Sequence, residues 1–381
     1  MASDARSLVL FDPSGTAHSF NAIEGLVRAA AARRIPLTVL SPKRPEAIAS
    51  GPGGATRTDL RWERCEVAGV LTDRASRHAH RRALVDAIHE TATPGTVFCD
   101  MGLGRTLASR GPGIGASPAT VFVTHQTNAI DPRIDTFKRR RYIARNVRVL
   151  SSLGRQGAQF IVHTPGTRDR MSDFVPGAQL HLHGWPVVSA DDPCLGPDWK
   201  PQPDGTVLLF AGSARIEKGL LTLLDAVRTG PSFDRLIVPG RIPGNVRARL
   251  GDLDPRVELW DRWLDPDEYR ELFGAASLVV LPYRDRYEAH GTYSSVLGEA
   301  LAAGRPVLVS EPLRPLLPDG YGGAVSVEPD SVTSLVQGLD QALDDLPGLE
   351  RAAMADGRAY IARHHTYEQY LTGILEAPPA T

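Results

Sequence analysis

Two short stretches hold the residues whose types and spacing suit chemistry. In "LLFAGSARIEKGLLTLLDAV", residues 208–227, an aliphatic run ends at Gly212. Arg215 and Lys218 follow in a loop, and an amphipathic run starts at Gly219. A helix N-terminus offers unpaired amides and a partial positive charge. A guanidinium and an ammonium beside it make an anion site suited to phosphate. The spacing is not that of a GxxxxGK[ST] phosphate loop. Solvated cations on a surface loop would account for the same letters.

The second stretch is "HGTYSSVLGEALAAGRPVLVSE", residues 290–311. Thr292, Ser294 and Ser295 are natural helix-capping residues ahead of an apolar helical run. Their hydroxyls and the neighbouring amides would hold a second side of a phosphate. Glu299 follows within the first helical turns, and a carboxylate is a good acceptor for two adjacent hydroxyls, as on ribose. Plain capping and a water-facing acid are the alternative reading. Near the N-terminus, "DPSGTAHSFN" (12–21) follows an aliphatic run and supplies Gly15, Thr16, His18 and Asn21. His18 and Asn21 suit the orientation of an acceptor, and Asp12 suits proton transfer. Asp100, in "CDMGLGRTLASRG", ends another such run. Loop and cap chemistry would equally explain these residues.

The elements that must position these side chains alternate strand and helix. "SLVLFD" (7–12), "PLTVLS" (36–41), "GTVFCD" (95–100), "TVFVTH" (120–125) and "QFIVHT" (159–164) read as strands. Helical periods lie between them at about 21–34, 74–91 and 136–157. A stretch rich in Pro, Gly and Asp, 184–205, breaks the pattern and reads as a linker. Alternation then resumes with "TVLLFAG" (206–212), "RLIVPG" (235–240), "RVELWD" (256–261), "SLVVLPY" (277–283) and the aliphatic end of the second stretch. This order predicts two doubly wound α/β domains with ligands beyond the carboxyl ends of the strands, in a cleft between the domains. The expected divisions are 1–188, 189–360 and a helical tail 361–381.

Composition narrows the class. With 381 residues, 42% hydrophobic and 23% charged, the chain can bury two full cores. A formal net charge of -1 gives no global field toward nucleic acid. Three cysteines match no zinc spacing and suit a reducing compartment. No apolar stretch reaches bilayer length, so a cytoplasmic protein is expected. "KRRR" (138–141) suits either a solvated face or contact with an anionic acceptor or membrane surface.

"FAGSARIEKGLLTLLDAV", "LDPDEYRELFGAASLVVLPYRD" and "SSVLGEALAAGRPVLVSE" occur in that order and at fitting separations. Together they resemble the C-terminal domain of the GT-B retaining glycosyltransferases of family 4. The resemblance is strong over roughly 205–311. It is weaker over the first half, through "VFVTHQ", "FIVHTPGTRDRM" and "LHLHGWPV". It implies two Rossmann-like domains and a nucleotide-diphosphate sugar as donor, with no cofactor and no metal. Arg215 and Lys218 would bind the diphosphate, with Gly212 in the same loop. Glu299 would hold the ribose. Main-chain amides around Tyr293, Ser294 and Ser295 would touch phosphate or sugar, and His125 would face the donor sugar. Gly15 would let the backbone approach phosphate or acceptor. The expected activity is retaining sugar transfer to an acceptor, with small specialised metabolites as one candidate acceptor class. A non-catalytic nucleotide-sugar-binding protein and a nucleotide-sugar epimerase are the alternatives. One departure stands out: the family pattern has a second glutamate eight positions before Glu299, and here that position is Gly291.

Overall fold

The computed structural model describes residues 7–11, 17–41, 60–64, 96–100, 119–124, 158–262, 264–284 and 293–376, with further positions inside 143–155. The chain divides into two compact units. One comprises Met1–Ser189, Gly291–Tyr293 and Tyr367–Thr381; the other comprises Ala190–His290 and Ser294–Thr366.

The first unit is built on a seven-stranded sheet. Its strands are β1 (Ser7–Phe11), β2 (Leu37–Ser41), β3 (Leu60–Arg64), β4 (Thr96–Asp100), β5 (Ala119–Thr124), β6 (Gln159–Val162) and β7 (Gln179–Leu182). They lie in the order β3-β2-β1-β4-β5-β6-β7, every pair parallel. Helix α1 (Ala17–Ala32) buries Ile23, Leu26 and Ala30 at helical spacing. Helix α2 (Pro165–Phe174) starts at Thr164, whose Oγ1 accepts from the Thr167 amide at 3.0 Å. Met171 and Val175 then close a small core over Phe160 and Val162.

The second unit has six parallel strands: β8 (Val207–Leu209), β9 (Arg235–Pro239), β10 (Val257–Trp260), β11 (Leu278–Leu281), β12 (Val307–Ser310) and β13 (Ala324–Val327). Their order is β10-β9-β8-β11-β12-β13. The four residues of β11 and of β12 are all buried, as expected for a parallel sheet covered on both faces. Its helices are α3 (Leu220–Thr229), α4 (Gly244–Arg247), α5 (Pro266–Ala275), α6 (Ser295–Ala302), α7 (Val332–Asp344), α8 (Leu346–Ala352) and α9 (Arg358–His364). Leu220, Leu223, Leu224 and Val227 of α3 and Leu335 and Leu339 of α7 pack on Leu208, Leu236, Val280 and Leu308 of the sheet. The last helix, α10 (Tyr367–Glu376), lies in the first unit, where the Tyr367 ring packs over Gly25 of α1 and Arg33 donates to Thr372 at 2.6 Å.

Three strands had no counterpart in the strand pattern of the sequence. Strand β3, "LRWER", carries three charged residues. Strand β7 is an edge strand, partly exposed along its length. Strand β13 is an edge strand of four residues beginning just after Gly322 and Gly323. The linker read at 184–205 is not free chain beyond Ala190. Cys194 is buried, and the Trp199 indole donates to the Ala303 carbonyl at 3.1 Å. The Gln202 amide donates to the Gly274 carbonyl at 2.9 Å, so this segment packs onto the second unit. Among the described residues no helix is long and apolar enough to cross a membrane.

Candidate functional site

In the second sheet the strand order reverses between β8 and β11. Such a switch point parts the crossover connections to either side and opens a crevice at the carboxyl ends of the two strands. Both quoted stretches converge there. After β8 the chain runs through buried Phe210 and Ala211 to Gly212, at φ 89°. A Cβ built on Gly212 would come 2.9 Å from Lys218 Nζ and 3.0 Å from Val296 Cγ2. The strand end, the lysine and the first turn of α6 therefore meet at one point.

The loop reaches that point through a single 3-10 turn, Ile216–Lys218, followed by Gly219 at φ 77°. The Gly219 carbonyl accepts from the Leu223 amide at 3.1 Å and so opens α3. The Arg284 amide donates to the Glu217 carbonyl at 3.0 Å, which ties the loop to the chain leaving β11. The two cations of the loop separate. Lys218 is buried, with Nζ 5.1 Å from the centroid of the Tyr283 ring. Arg215 is about half exposed and lies 3.3 Å from Glu217 Oε1. A solvated surface loop thus describes Arg215 but not Lys218.

On the other side Ser294 caps α6, its Oγ accepting from the Leu297 amide at 3.4 Å. The Tyr283 and Ser294 hydroxyls lie 3.2 Å apart, both buried. Ser295 is the first residue of the helix, and buried Tyr293 directly precedes the cap. Glu299 is half-buried rather than water-facing, and its Oε2 accepts from the Tyr269 hydroxyl at 3.0 Å. Burial pushes the Glu299 carboxyl above its ordinary pKa, while the Tyr269 O–H and the Lys218 charge pull it back. Burial also raises the phenols of Tyr269 and Tyr283. The arrangement supplies a buried cation, a capped helix N-terminus and a partly desolvated acid, a set suited to a phosphate-bearing ligand with hydroxyls.

Gly212, Lys218, the start of α6 at Ser294 and Ser295, and Glu299 lie near one another, while Arg215 turns toward solvent. Tyr269 and Tyr283 were not among the candidates. Tyr283 ends "SLVVLPY" directly after a buried strand, a position that marks it for the crevice. Tyr269 had only a weak signal, a phenol on the helix that leads into β11. In the first unit, β1 and β4 flank the corresponding switch point, and Asp100 lies opposite Phe11 in the register. His18 and Asn21 fall in the first turns of α1. Gly15, Thr16, His125 and Gly291 lie outside the described residues.

Comparison with known proteins agrees with this architecture. Residues 205–345 match the family model described as glycosyl transferases group 1. A curated relative, lipopolysaccharide 1,2-N-acetylglucosaminetransferase of Salmonella typhimurium, is 30% identical over 157 residues, 37% of this chain. That match spans 40% of the relative's own length. Among solved structures, sucrose-phosphate synthase from Thermosynechococcus elongatus is 18% identical with a TM-score of 0.68, covering 96% of both chains. A glycosyltransferase from Rickettsia africae is 12% identical with a TM-score of 0.72, covering 98% of both. Anabaena Alr3699/HepE, solved with UDP and glucose, is 14% identical with a TM-score of 0.63, covering 98% of this chain and 100% of its own. The chain has the GT-B fold of glycosyltransferases, two Rossmann-like units each with its own parallel sheet. The part of the second unit that matches the group 1 glycosyltransferase model is residues 205–345, which hold Lys218 and Glu299.

Proposed function

We propose that the protein is a cytoplasmic, retaining glycosyltransferase that moves a sugar from a nucleotide-diphosphate sugar to an acceptor hydroxyl. The observation that carries this reading is the meeting of buried Lys218, the capped start of α6 and Glu299 at the β8/β11 switch point. Breaking the sugar–diphosphate bond leaves negative charge on phosphate and positive character on the anomeric carbon. Lys218, Arg215 and the amides at Ser294 and Ser295 stabilise the leaving diphosphate. Each charge-assisted hydrogen bond is worth roughly 1.5–3 kcal/mol. Glu299 accepts from the ribose hydroxyls. The acceptor attacks from the face that the diphosphate leaves, a route that needs no carboxylate nucleophile, no metal and no cofactor. The family resemblance assigns His125 to the donor sugar, and Gly15, Thr16, His18, Asn21 and Asp100 are the candidates for the acceptor or phosphate. Small specialised metabolites are the first acceptor class to screen. The name of the Salmonella relative makes envelope glycans the second.

A thermal-shift panel of UDP, GDP, ADP and their sugars tests the donor half. At least one nucleotide raises the melting temperature of the wild type, and the rise shrinks in Lys218→Ala and Glu299→Ala. A panel in which no nucleotide moves the wild type would sink the reading.

A further inference from the structure

Glu299 does not stand alone in the crevice. Tyr269 lies on α5, thirty positions earlier in the chain, and its hydroxyl donates to Glu299 Oε2 at 3.0 Å. The phenol is itself fixed. Its ring meets Phe273, one helical turn on, edge to face at 5.3 Å between centroids. Helix α5 is anchored at its start by Asp265, whose carboxylate accepts from the Glu268 amide at 2.8 Å. Glu299 is therefore oriented by a helix that precedes β11 in the chain, not by its own helix.

We propose that Tyr269 is a positioning residue that holds the Glu299 carboxylate in one rotamer and reserves Oε1 for a ribose hydroxyl of the bound nucleotide. The inference rests on the donor-site reading above and deepens it. An ionised carboxylate accepts more strongly than a neutral carboxyl and through both oxygens, and burial works against the ionised state. The Tyr269 O–H opposes the burial, as does the charge of Lys218 from the 3-10 turn. Among the described residues, Tyr283, from the chain after β11, is also linked to Glu299, whose charge raises its phenol. With Oε2 engaged, the acid presents a fixed acceptor and discriminates ribose from deoxyribose by a buried hydrogen bond. An unmade bond at such a site is costly, which is how polar sites reject ligands that lack the hydroxyl.

The test measures binding of UDP, GDP and ADP and of their 2′-deoxy forms by calorimetry, to wild type, Tyr269→Phe, Glu299→Gln and the double variant. Phenylalanine keeps the ring against Phe273, and melting temperatures report folding. The wild type is expected to prefer one ribonucleotide over its deoxy form. Tyr269→Phe should cut that preference about tenfold, the value of one charge-assisted hydrogen bond. The same change should raise the pH below which binding is lost, because the group that favours ionised Glu299 is gone. In the Glu299→Gln background, where the remaining bond is to a neutral amide, the tyrosine change should have a clearly smaller effect. A wild type that binds no nucleotide overturns the donor-site reading. A wild type that prefers ribonucleotide, with preference and pH midpoint unchanged in Tyr269→Phe, overturns this inference alone. Equal effects of the tyrosine change in both backgrounds would assign it to packing and likewise overturn it.

Discussion

Gly219 lies against Pro282 so closely that a methyl group at position 219 would come 1.9 Å from the Pro282 carbonyl oxygen. The glycine also sits at φ 77°, where a side chain is strained in any case. This contact lets the loop carrying Lys218 dock on the end of β11. Gly219→Ala must move backbone, since the blocking atom is a carbonyl. Strain at such a position costs on the order of 1–3 kcal/mol, and overpacking adds a similar amount. Urea unfolding should show a loss of about 3 kcal/mol together with loss of the nucleotide-induced thermal shift. Wild-type stability in this variant would show that the close approach is not needed.

Gly212→Ala is a milder case with a different signature. Its new methyl meets Lys218 Nζ at 2.9 Å and Val296 Cγ2 at 3.0 Å. The first is the far end of a flexible side chain, which can withdraw. The backbone at φ 89° and the new contacts together should cost the fold about 2 kcal/mol, while nucleotide affinity falls on the order of tenfold because the displaced group is the buried ammonium. Calorimetric titration with the nucleotide that gives the largest thermal shift checks this. Affinity and stability falling in step would argue that Lys218 does not contact ligand.

Lys218 and Arg215 should separate in their effects although the loop presents them three residues apart. Lys218 is buried over the Tyr283 ring and its charge helps keep Glu299 ionised. Arg215 is half exposed beside Glu217. Lys218→Met should lower turnover about a hundredfold or more, the scale of losing a preorganised charge at a leaving group. It should also move the acidic limb of the pH profile upward, because one of the two groups favouring ionised Glu299 is gone. Arg215→Ala should lower turnover less, leave that limb in place and barely change the melting temperature. Donor hydrolysis followed across pH 5–9 distinguishes the two.

Much of this was legible in the letters, for physical reasons. Parallel strands buried on both faces read as aliphatic runs, so "LVVL" and "VLVS" announced β11 and β12. Edge strands bury less, so β7 and β13 left no such trace. Arg215, Lys218 and Glu299 could each be picked out by type and by position near a helix start. Which cation turns inward could not, because that depends on how closely Gly219 approaches Pro282, a contact across sixty-three positions. Nor could the partner of Glu299 be read. Tyr269 reaches it only because the chain between them forms β11 and returns to the same crevice.

Glu299 should also reveal itself in the stability of the ligand-free protein. Its folded pKa lies above the ordinary 4.5, because desolvation outweighs the help of Tyr269 and Lys218. The sign follows from linkage. A carboxyl with a raised folded pKa binds its proton more tightly in the folded state, so folding is favoured at low pH. That contribution is complete below about pH 4.5, the unfolded value, and is lost as pH rises through the raised folded value. Above it, the folded protein carries a partly buried charge at a cost. Glu299→Gln removes the charge and keeps an oxygen that can accept from Tyr269. Ligand-free Glu299→Gln should therefore melt above the wild type at pH 8, by on the order of 2–4 °C. The gap should narrow toward pH 5 as the wild-type carboxyl takes up its proton. The same variant should lose nucleotide affinity, so stability and binding move in opposite directions. A Glu299→Gln protein that melts below the wild type at pH 8 would mean that the attraction of Lys218 exceeds the cost of burial. The site would then be held together by its acid rather than strained by it.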